Sequence, residues 1–404
     1  MLKDIEVSEA QALLLNLPAE IGTETLPIGD ILGRVAAADI AAAIPFPPFD
    51  RSPFDGYAFR GDDTKSASAD APVVLRINQE IPAGHMPGFD VPKGFAAKIL
   101  TGAPIPAGAD AVVKFEDTEY SGDEVRIPMP VRPGTNIVRA GEDVEKGALL
   151  AEKGMVVAPA LMGLLAAQGL RSIKVWRRPL VSVVNTGTEL AALGSALPPG
   201  MIYNSSMFML QGFLLGMGAD FRDGGIVADN ESSISARVRA ELRMADMVIT
   251  TGGASVGDYD CAVRAAEQAR GDILFWKMRM KPGGSILAYR LEGKLVLALS
   301  GNPGAAVLGL LRIGLPYLRK LCGRRDVLPE ICEVYLKKAL KKESPRLRVI
   351  RGRLEIEGGK AWFAFEDGQG GGDISSLLQC DLLAEIPAGS PPLPKGSLVK
   401  AYRL

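Results

Sequence analysis

Short apolar runs alternate with longer amphipathic segments along the second half of the chain. Each apolar run between Pro179 and Leu299 has the length of a buried strand, and two intervening segments have the pattern of helices. This alternation predicts a mostly parallel sheet with helices on both faces, whose ligand sites lie at the carboxyl ends of the strands. The predicted strands are 180–184, 225–228, 247–250, 274–276 and 295–299, and the predicted helices are 232–244 and 259–269.

The first half of the chain has a different pattern, dominated by short strands and by proline. Ser8 followed by Gln11 predicts a capping box that opens a helix over 9–17. The proline-rich segment 44–60 predicts an extended connection that contains neither a helix nor a central strand. Gly/Pro turns then separate short strands, which indicates an all-β insert before an almost charge-free helix over 159–169. The strands of this insert are predicted over 73–77, 96–100, 111–115 and 124–127.

The helical pattern stops after residue 324. Strand-like runs over 347–356 and 362–365 flank Gly358 and Gly359, which predicts a hairpin in a small β-domain. The predicted fold class is therefore α/β plus all-β, with an α/β domain, a β-rich insert and a small C-terminal β-domain. A chain of 404 residues is expected to form roughly two to four domains.

Composition and charge limit the classes of function that the chain can have. Hydrophobic residues make up 47% of the chain and charged residues 23%, as in folded soluble proteins. The net charge of −1 gives no basic field that would draw the chain to nucleic acid or to an acidic membrane surface. The start of the chain lacks the features of a secretory signal, which predicts a cytoplasmic protein. The apolar stretch 295–318 is not expected to cross a membrane, because SGNPG interrupts it, Arg312 is charged and Pro316 is the predicted end of its helix.

Cysteine and histidine are too scarce for several kinds of site. The cysteines have no CxxC spacing and are predicted to be free thiols. His85 is the only histidine and lies in a Gly/Pro loop, where a surface position is expected. Because a His/Cys zinc centre, a Ser-His-Asp triad and a Cys-His dyad each need an imidazole in place, the sequence argues against all three. The four cysteines are Cys261, Cys322, Cys332 and Cys380.

Three predicted strands end in small, polar loops that contain glycine. They are NTGTEL (185–190), TGGASVG (251–257) and SGNPG (300–304), and all three are expected at the same edge of the sheet. Glycines there let backbone N–H groups approach an anion, so a phosphorylated ligand is predicted. TGGASVG resembles a Walker A loop in its glycine spacing, but Asp258 stands where the lysine should be, and GxGxxG is absent from all three loops. An ATPase or a nicotinamide enzyme is therefore disfavoured.

Charged side chains accompany these loops. Lys277 and Lys281 follow an apolar strand and could neutralise a phosphate or another oxyanion, although solvated surface lysines are the alternative. Loop acids could hold Mg²⁺ or Zn²⁺ beside a phosphate, or could form turns and helix caps. The basic residues from Lys337 to Arg353 are expected to contribute few ligand contacts. The loop acids are Asp50, Asp55, Asp143, Glu189, Asp229, Asp258 and Asp260.

Seven segments resemble, in the same order along the chain, the signature blocks of the MoeA and gephyrin E-domain family. They are FDRSPFDGYAFR (49–60), KILTGAPIPAGADAVVKFED (98–117), NIVRAGEDVEKGALL (136–150), VVNTGTEL (183–190), ITTGGASVGDYD (249–260), FWKMRMKPGG (275–284) and LSGNPGAAV (299–307). These blocks span most of the chain.

The resemblance implies an elongated homodimer of four-domain subunits. The implied domains are a molybdopterin-binding-like α/β domain (1–26 and 178–325), a linking and dimerisation domain (27–50 and 140–177), a β-rich insert (51–139) and a C-terminal β-barrel-like domain (326–404). The implied reaction inserts molybdate into adenylylated molybdopterin, cleaves the phosphoanhydride and releases molybdenum cofactor and AMP, with Mg²⁺ or Zn²⁺ as the cation. Molybdopterin adenylyltransferase and molybdoenzyme apoproteins are the implied protein partners, with no nucleic acid and no membrane.

Residue roles follow from the resemblance, motif by motif. The expected catalytic residues are Asp55, Asp143, Glu189, Asp229 and Asp260, and Asp229 and Asp260 are also the expected metal ligands. The expected substrate-binding residues are Thr101, Thr186, Gly252, Gly253, Ser255, Gly257, Lys277, Lys281, Ser300, Asn302, Arg351 and Ser375.

The sequence departs from the family pattern near the expected oxyanion pocket. Gly284 and Ser285 follow Gly283 where the family commonly has KPGKP, Thr188 replaces an acid, and Ser300 replaces a proline. These changes favour pterin binding over molybdate insertion as the better-supported property. The alternatives are therefore a tungstate-preferring enzyme and a non-catalytic paralogue that binds molybdopterin or finished cofactor. A scaffold protein is less favoured, because no long linker or second module is present.

Overall fold

The computed structural model describes residues 1–19, 21–194, 196–252 and 259–404, and it divides the chain into two compact units. The first unit comprises Met1–Ala38, Lys153–Ala158 and Ile173–Leu404. The second unit comprises Asp39–Glu152 and Pro159–Ser172. The finer division into four domains stays a prediction.

The two helices predicted between strands of the α/β region are confirmed as α4 and α5. The almost charge-free helix predicted over 159–169 is confirmed as α2. A further helix, α3, was not predicted, because its residues are apolar on most sides and give no helical stripe. In chain order the helices are α1 (Val7–Leu15), α2 (Pro159–Ala167), α3 (Ser205–Gly216), α4 (Glu231–Leu242), α5 (Tyr259–Gln268), α6 (Pro303–Gly309) and α7 (Leu315–Leu321), with a π-helical segment (Leu310–Gly314) between the last two. Short 3₁₀ turns cover Ile28–Asp30, Gly61–Thr64, Phe115–Asp117 and Ser375–Leu377.

The strands fall into the three regions that the sequence predicts. Those of the first half are β1 (Leu2–Ile5), β2 (Thr23–Pro27), β3 (Ile40–Ala41), β4 (Gly56–Phe59), β5 (Val73–Ile81), β6 (Phe95–Ile99), β7 (Ala111–Lys114), β8 (Glu119–Ser121), β9 (Glu124–Ile127), β10 (Leu149–Ala151) and β11 (Ser172–Trp176). Those of the α/β region are β12 (Leu180–Thr186), β13 (Leu190–Ala191), β14 (Ile202–Tyr203), β15 (Asp220–Val227), β16 (Met247–Thr251), β17 (Asp272–Met278), β18 (Met280–Lys281), β19 (Leu287–Leu291) and β20 (Lys294–Leu299). The last are β21 (Ile331–Leu336), β22 (Leu347–Glu357), β23 (Lys360–Ala364), β24 (Leu382–Ile386) and β25 (Leu398–Arg403).

The central sheet of the α/β domain confirms the predicted mostly parallel arrangement. Over the described residues it has seven strands in the order β1-β17-β19-β20-β16-β12-β15. The run β20-β16-β12-β15 is parallel throughout, whereas β19 is antiparallel to both of its neighbours. Because β12, β16 and β20 are adjacent and parallel, their carboxyl ends meet at one edge, which we call the rim.

Helices cover both faces of this sheet. Leu297 of β20 belongs to a buried cluster with residues of α1, α3, α6 and α7, whereas its neighbour Val296 belongs to a cluster with residues of α4 and α5. Successive side chains of a strand point to opposite faces, so both faces of β20 are apolar. This explains why the predicted strands are continuous apolar runs.

Helix α1 begins differently from the prediction. Its first residue is Val7, and Glu6 at the N-cap makes no side-chain capping hydrogen bond. Gln11 donates from Nε2 to the carbonyl oxygen of Arg312 at 2.7 Å. The predicted capping box is therefore wrong, because the Gln11 side chain binds a distant backbone group instead of its own helix end.

The helical stretch after the SGNPG loop also continues further than predicted. The π-helical segment lies immediately before α7, and Pro316 falls in the first turn of α7. Gly314 and Leu315 before it are already helical, so Pro316 lies inside a continuous helical run and removes only one backbone donor from it. The prediction that Pro316 ends the helix is wrong.

The β-rich insert forms a sheet in the order β7-β4-β6-β5-β9-β8, and its predicted strands are confirmed. Strand β4 pairs on both sides, so the prediction of no central strand within 44–60 is wrong for Gly56–Phe59. These four residues contain no proline, and the prolines lie upstream. Gly56 is required at its position, because an added Cβ would lie 1.9 Å from the carbonyl oxygen of Val113.

The C-terminal domain is a small closed barrel, which we call the barrel. Its strands follow the order β22-β23-β21-β25-β24, and β24 pairs again with β22 to close the ring. The predicted hairpin is confirmed as β22 and β23, with Gly358 and Gly359 both at positive φ in its turn. Strand β18 of the α/β domain pairs in parallel with the first two residues of β22.

Three further predictions, on the cysteines, the histidine and the apolar stretch, can be compared directly with the structure. No disulfide joins the four cysteines, all of which lie in described residues. His85 is exposed, as expected. Within the described ranges, none of the helices combines the length and hydropathy needed to cross a bilayer.

Candidate functional site

A cavity of about 320 Å³ lies at the rim, where β12, β16 and β20 end. All three predicted loops contribute to its wall, which confirms that they share one edge as far as they are described. The lining also includes the segment from Ile202 to Ser206, which the sequence analysis did not identify. The lining residues are Asn185, Thr186, Glu189, Leu190, Ile202, Tyr203, Asn204, Ser205, Ser206, Asp229, Thr251, Gly252, Ser300, Gly301, Asn302 and Pro303.

The floor of this cavity is a buried polar cluster of Asn185, Thr186 and Thr251, each at most 4% exposed. Asn185 donates from Nδ2 to the hydroxyl of Thr251. The Oδ1 atom of Asn185 and the hydroxyl of Thr186 have no hydrogen-bond partner among the described residues. Buried polar groups are normally paired, and leaving one unpaired costs about 1–3 kcal/mol. These two groups are therefore placed to bind a polar ligand or water.

Glycine permits the loops of the rim to approach one another. Gly252 has a φ of +105°, and a Cβ there would lie 2.1 Å from the carbonyl oxygen of Thr186. A Cβ on Gly301 would lie 3.2 Å from the Cα of Gly252. Any larger residue at position 252 would push apart the ends of β12 and β16, so this glycine sets the shape of the cavity floor.

Two exposed carboxylates, Glu189 and Asp229, stand on the cavity wall. Asp229 immediately precedes Asn230, whose side chain caps α4 by accepting from the backbone N–H of Ser233 at 2.9 Å. The cap therefore fixes the chain where Asp229 projects. Among the described residues, no group of three or more His, Cys, Asp or Glu side chains gathers into a metal site.

The third rim loop contacts the segment 368–373 of the barrel, which we call the barrel loop. Ser300 is 7% exposed and its hydroxyl accepts from the backbone N–H of Asn302 at 3.2 Å. The backbone N–H of Ala305 donates to the carbonyl oxygen of Gly371 at 2.9 Å. A Cβ on Gly304 would lie 2.6 Å from both Nη1 of Arg351 and the carbonyl oxygen of Asp373. The barrel loop is thus packed against the rim.

Arg351 holds the barrel loop in this position. Its side chain is fully buried, and its two terminal nitrogens donate to the carbonyl oxygens of Asp373 and Gly370, each at 2.9 Å. Gln369 accepts from the backbone N–H of Arg351 at 2.8 Å and donates back to its carbonyl oxygen at 2.6 Å. Burial lowers the pKa of the Arg351 guanidinium, and the charge of Asp373 acts in the opposite direction.

Ser375 lies beside the barrel loop. Its hydroxyl donates to Oδ1 of Asp373 at 2.8 Å, and this hydrogen bond is the main reason why the pKa of Asp373 lies below its ordinary value. Ser375 and Arg351 also border a second cavity, on the barrel, of about 220 Å³. The structure therefore brings these two predicted residues together.

The two predicted lysines lie near the carboxyl edge of the sheet but do not line the rim cavity. Lys277 is in β17 with a φ of 68°, a conformation that residues other than glycine rarely adopt, and its ammonium lies 4.6 Å from the centre of the Trp276 ring. Lys281 is exposed in β18, in register with Arg348 of the barrel.

Three predicted residues belong to the second compact unit. Asp55 accepts from both the backbone N–H and the hydroxyl of Thr101, each at 2.7 Å, and these bonds hold the pKa of Asp55 below its usual range. The structure therefore brings Asp55 and Thr101 together. Asp143 is exposed, and its backbone N–H donates to the carbonyl oxygen of Phe46 at 3.1 Å.

The remaining predicted residues lie outside what the structure describes. They are Gly253, Ser255 and Gly257, together with the side chain of Asp260. Asn185, which the sequence analysis placed in a loop without a role, is the polar residue it missed at the cavity floor. The signal was an amide at the end of a mostly apolar strand, a position where a buried polar group needs a partner.

Three family models match this chain in order. They are described as MoeA N-terminal region (domain I and II), over residues 5–169, Probable molybdopterin binding domain, over 182–320, and MoeA C-terminal region (domain IV), over 333–404. Together they cover both compact units and the barrel.

Relatives and solved structures agree with these models. Molybdopterin molybdenumtransferase of Staphylococcus aureus (strain COL) is 31% identical over 386 residues, which is 96% of this chain and 92% of the relative. The protein of the same name from Staphylococcus epidermidis (strain ATCC 12228 / FDA PCI 1200) is 31% identical over 396 residues, 98% and 94% of the two chains. The crystal structure of a molybdopterin biosynthesis MoeA protein from Pyrococcus horikoshii OT3 superposes with a TM-score of 0.85 at 30% identity, covering 99% of this chain and 100% of that one.

The fold and the rim cavity, with these matches, define an enzyme of molybdenum cofactor biosynthesis, specifically a transferase. The chain belongs to the MoeA family of molybdopterin molybdenumtransferases. The family resemblance predicted from the seven sequence blocks is thereby confirmed.

Proposed function

We propose that this enzyme inserts molybdate into adenylylated molybdopterin and releases molybdenum cofactor and AMP. The observation that carries the proposal is the polar floor of the rim cavity. Asn185 and Thr186 present unpaired buried groups between three glycine-bearing strand ends, an arrangement suited to a phosphorylated ligand. We further propose that Lys277 and Lys281 attract the oxyanion.

In the proposed reaction one phosphoanhydride bond breaks. An oxygen of water or molybdate bonds to one phosphorus as the bridging P–O bond opens, and AMP leaves with its phosphate. Molybdenum is bound by the two dithiolene sulfurs, whose protons leave with oxygen as water. The rim residues bind and orient the pyrophosphate, which places the nucleophile in line with the leaving oxygen.

The cavity wall fits Mg²⁺ better than Zn²⁺. Its donors are oxygen atoms, chiefly the carboxylates of Glu189 and Asp229, and the described part of the lining contains no histidine or cysteine. Mg²⁺ is typically held by one or two carboxylates together with substrate phosphates, whereas Zn²⁺ favours nitrogen and sulfur. We propose that Glu189 and Asp229 hold the cation, which would neutralise charge that develops on the phosphates. Catalytic roles for Asp55, Asp143 and Asp260, the role of Asp260 as a metal ligand, and a homodimer with the partners implied by the family, stay predictions.

Single carboxylate substitutions test this assignment. Glu189→Gln and Asp229→Asn are each expected to lower AMP release from adenylylated molybdopterin with Mg²⁺ and molybdate by about a hundredfold or more, because a bound cation contributes several kcal/mol of transition-state stabilisation. Chromatographic quantification of AMP, with calorimetric binding of the pterin nucleotide measured in parallel, checks both steps.

Asp272→Asn is the matched control. Asp272 is exposed, begins β17 at the opposite edge of the same sheet, and pairs with Arg290 at 3.3 Å. AMP release by this variant should equal that of the wild type. Tight nucleotide binding with no AMP release by the wild type at any Mg²⁺ concentration would contradict the proposed reaction.

A further inference from the structure

A second large cavity, of about 810 Å³, lies where α7 ends and the chain enters the barrel. None of its lining residues belongs to the rim cavity. We call it the arginine cavity, because four of its lining residues are arginines. The lining residues are Arg319, Arg324, Arg325, Asp326, Val327, Leu328, Glu330, Arg403 and Leu404.

The end of α7 brings two of these arginines together. Gly323 follows the helix with a φ of +71°, and the backbone N–H of Arg324 donates to the carbonyl oxygen of Arg319 at 3.0 Å. This is the pattern of a helix that ends in a left-handed glycine, and it reverses the chain. No larger residue fits at 323, because an added Cβ would lie 2.3 Å from the ring of Trp176. The adjacency of the two arginines is therefore built into the backbone.

Neither Arg319 nor Arg324 has an ion pair among the described residues, whereas three neighbouring arginines do. Within the described part of the chain, Arg34, Arg177 and Arg325 form ion pairs with Glu24, Asp246 and Asp326. By contrast, Arg319 donates only to the carbonyl oxygen of Leu328, at 2.8 Å, and the side chain of Arg324 has no hydrogen bond or ion pair with any described residue. The Nε atoms of both arginines are buried and without a partner among the described residues.

The two charges act on each other. Burial lowers the pKa of Arg319, and the positive charge of Arg324 lowers it further, while Glu330 and Asp326 act more weakly in the opposite direction. Two guanidinium groups that repel each other and keep buried donors unpaired are costly for the folded state. An anion with several acceptor oxygens would satisfy these donors and remove the repulsion, since planar guanidinium groups bind phosphate in a bidentate manner.

We propose that the arginine cavity binds a phosphorylated small molecule, with its phosphate group between Arg319 and Arg324. The volume is in the range of small-molecule sites, and Val327, Leu328 and Leu404 supply an apolar wall for the organic part. The site is separate from the rim cavity and does not depend on the proposed reaction.

Calorimetric titration of the full chain with phenyl phosphate, at constant ionic strength set by NaCl, tests the site. The wild type is expected to bind, and Arg319→Gln and Arg324→Gln are each expected to raise Kd by about tenfold or more, since each removes a charge-assisted contact. Arg324→Lys keeps the charge but not the planar fork, so it should give an intermediate Kd. Melting temperatures in NaCl alone establish that each variant is folded.

Arg290→Gln is the matched control, because Arg290 is half-buried on β19, pairs with Asp272 and does not line the cavity. Its Kd should equal that of the wild type. Absence of phenyl phosphate binding by the wild type would overturn the proposal. Binding that persists unchanged in both Arg→Gln variants would belong to another site, and would overturn it equally.

Discussion

Two buried arginines lie where the barrel meets the α/β domain, and the protein compensates their charges in different ways. Arg312, in the π-helical segment, is 4% exposed, lies 2.5 Å from a carboxylate oxygen of Glu385 and stacks its guanidinium 3.9 Å from the centre of the Tyr402 ring. Arg351, in β22, is fully buried and donates to carbonyl oxygens of the barrel loop. One arginine therefore has a formal counter-charge in direct contact, and the other has backbone dipoles.

Arg312 anchors the barrel to the α/β domain, whereas Arg351 shapes the barrel loop; we call these an anchor and a shaping contact. Glu385 and Tyr402 lie on β24 and β25, so the Arg312 pair ties one side of the barrel to the helices of the α/β domain. The partners of Arg351 are carbonyls of the glycine-rich barrel loop, so this arginine determines the loop's conformation beside Asn302 and Gly304 of the rim. Loss of the anchor should mainly affect stability, and loss of the shaping contact should mainly affect the rim.

The largest expected effect is that of Glu385→Ala on stability. This change leaves Arg312 buried without its carboxylate, and removing one partner of a buried pair costs about 3–5 kcal/mol. Urea unfolding should show this loss in the free energy of unfolding of the barrel transition. Glu366→Ala is the control, because that carboxylate is 88% exposed and should contribute less than about 0.5 kcal/mol. A loss below about 1 kcal/mol in Glu385→Ala would show that the ion pair is no anchor.

A smaller loss of stability, about 2 kcal/mol, is expected for Arg351→Met, because it leaves enclosed carbonyls without donors. Hydrogen exchange of the backbone amides over 368–373 should accelerate, and AMP release should fall with it. Arg351→Lys should not restore slow exchange, because one ammonium lacks the fork that reaches both carbonyls.

Arg353→Met provides the matched comparison two residues along the same strand, where the side chain is 50% exposed. Its exchange and stability should match those of the wild type. Unchanged exchange over 368–373 in Arg351→Met would remove the distinction between anchor and shaping contact.

The smallest expected effect concerns pH. The pKa of Asp373 is lowered from its ordinary 3.8, first by the hydrogen bond from Ser375. A carboxyl group whose pKa is lower in the folded state stabilises the fold at pH values above its unfolded pKa, and this contribution disappears as the pH falls through the folded value.

Ser375→Ala should therefore reduce the free energy of unfolding by less than about 1 kcal/mol near neutral pH, because Asp373 is largely solvated. The difference from the wild type should shrink as the pH is lowered from about 5 to about 2. Unfolding curves across this range would contradict the assignment if the difference stayed constant.

The contrast between the two arginines also indicates what the sequence could predict. Five of the seven strands of the central sheet and the shared edge of the three loops follow from local apolar runs and from glycine, so they were predictable, whereas β1 and β19 were not predicted. The way in which the charge of Arg351 is compensated was not predictable. Its donors bind carbonyl oxygens of a loop that lies about 20 residues further along the chain, and the path of the turn between them depends on tertiary packing. The family resemblance identified Arg351 as important without indicating that it is enclosed.

The errors in the secondary-structure predictions have the same origin. Ser8 and Gln11 have the spacing of a capping box, but Gln11 binds a carbonyl 301 positions away along the chain. Gly56–Phe59 forms a central strand although prolines crowd the preceding residues, since pairing on both sides outweighs the local tendency. A local sequence pattern predicts only the local preference for a helix or strand. Pairing with residues that are distant in the sequence overrides this preference in both cases.

The π-helical segment has a consequence for how the chain tolerates changes in length. A π turn holds one residue more than an α turn, and each residue rotates a helix by about 100°. Deleting a single residue from Leu310–Gly314 would let the segment relax to an ordinary α-helix, and the residues after it would keep their orientation, because the π turn had absorbed the extra residue. Tyr317 and Lys320, which bind the carbonyls of Pro18, Leu15 and Leu17, would still face α1. Deleting a residue between Tyr317 and Lys320, where the helix is already α-helical, would instead turn Lys320 away by about 100°. The π turn is thus the place where this helix can be shortened by one residue without losing its contacts with α1.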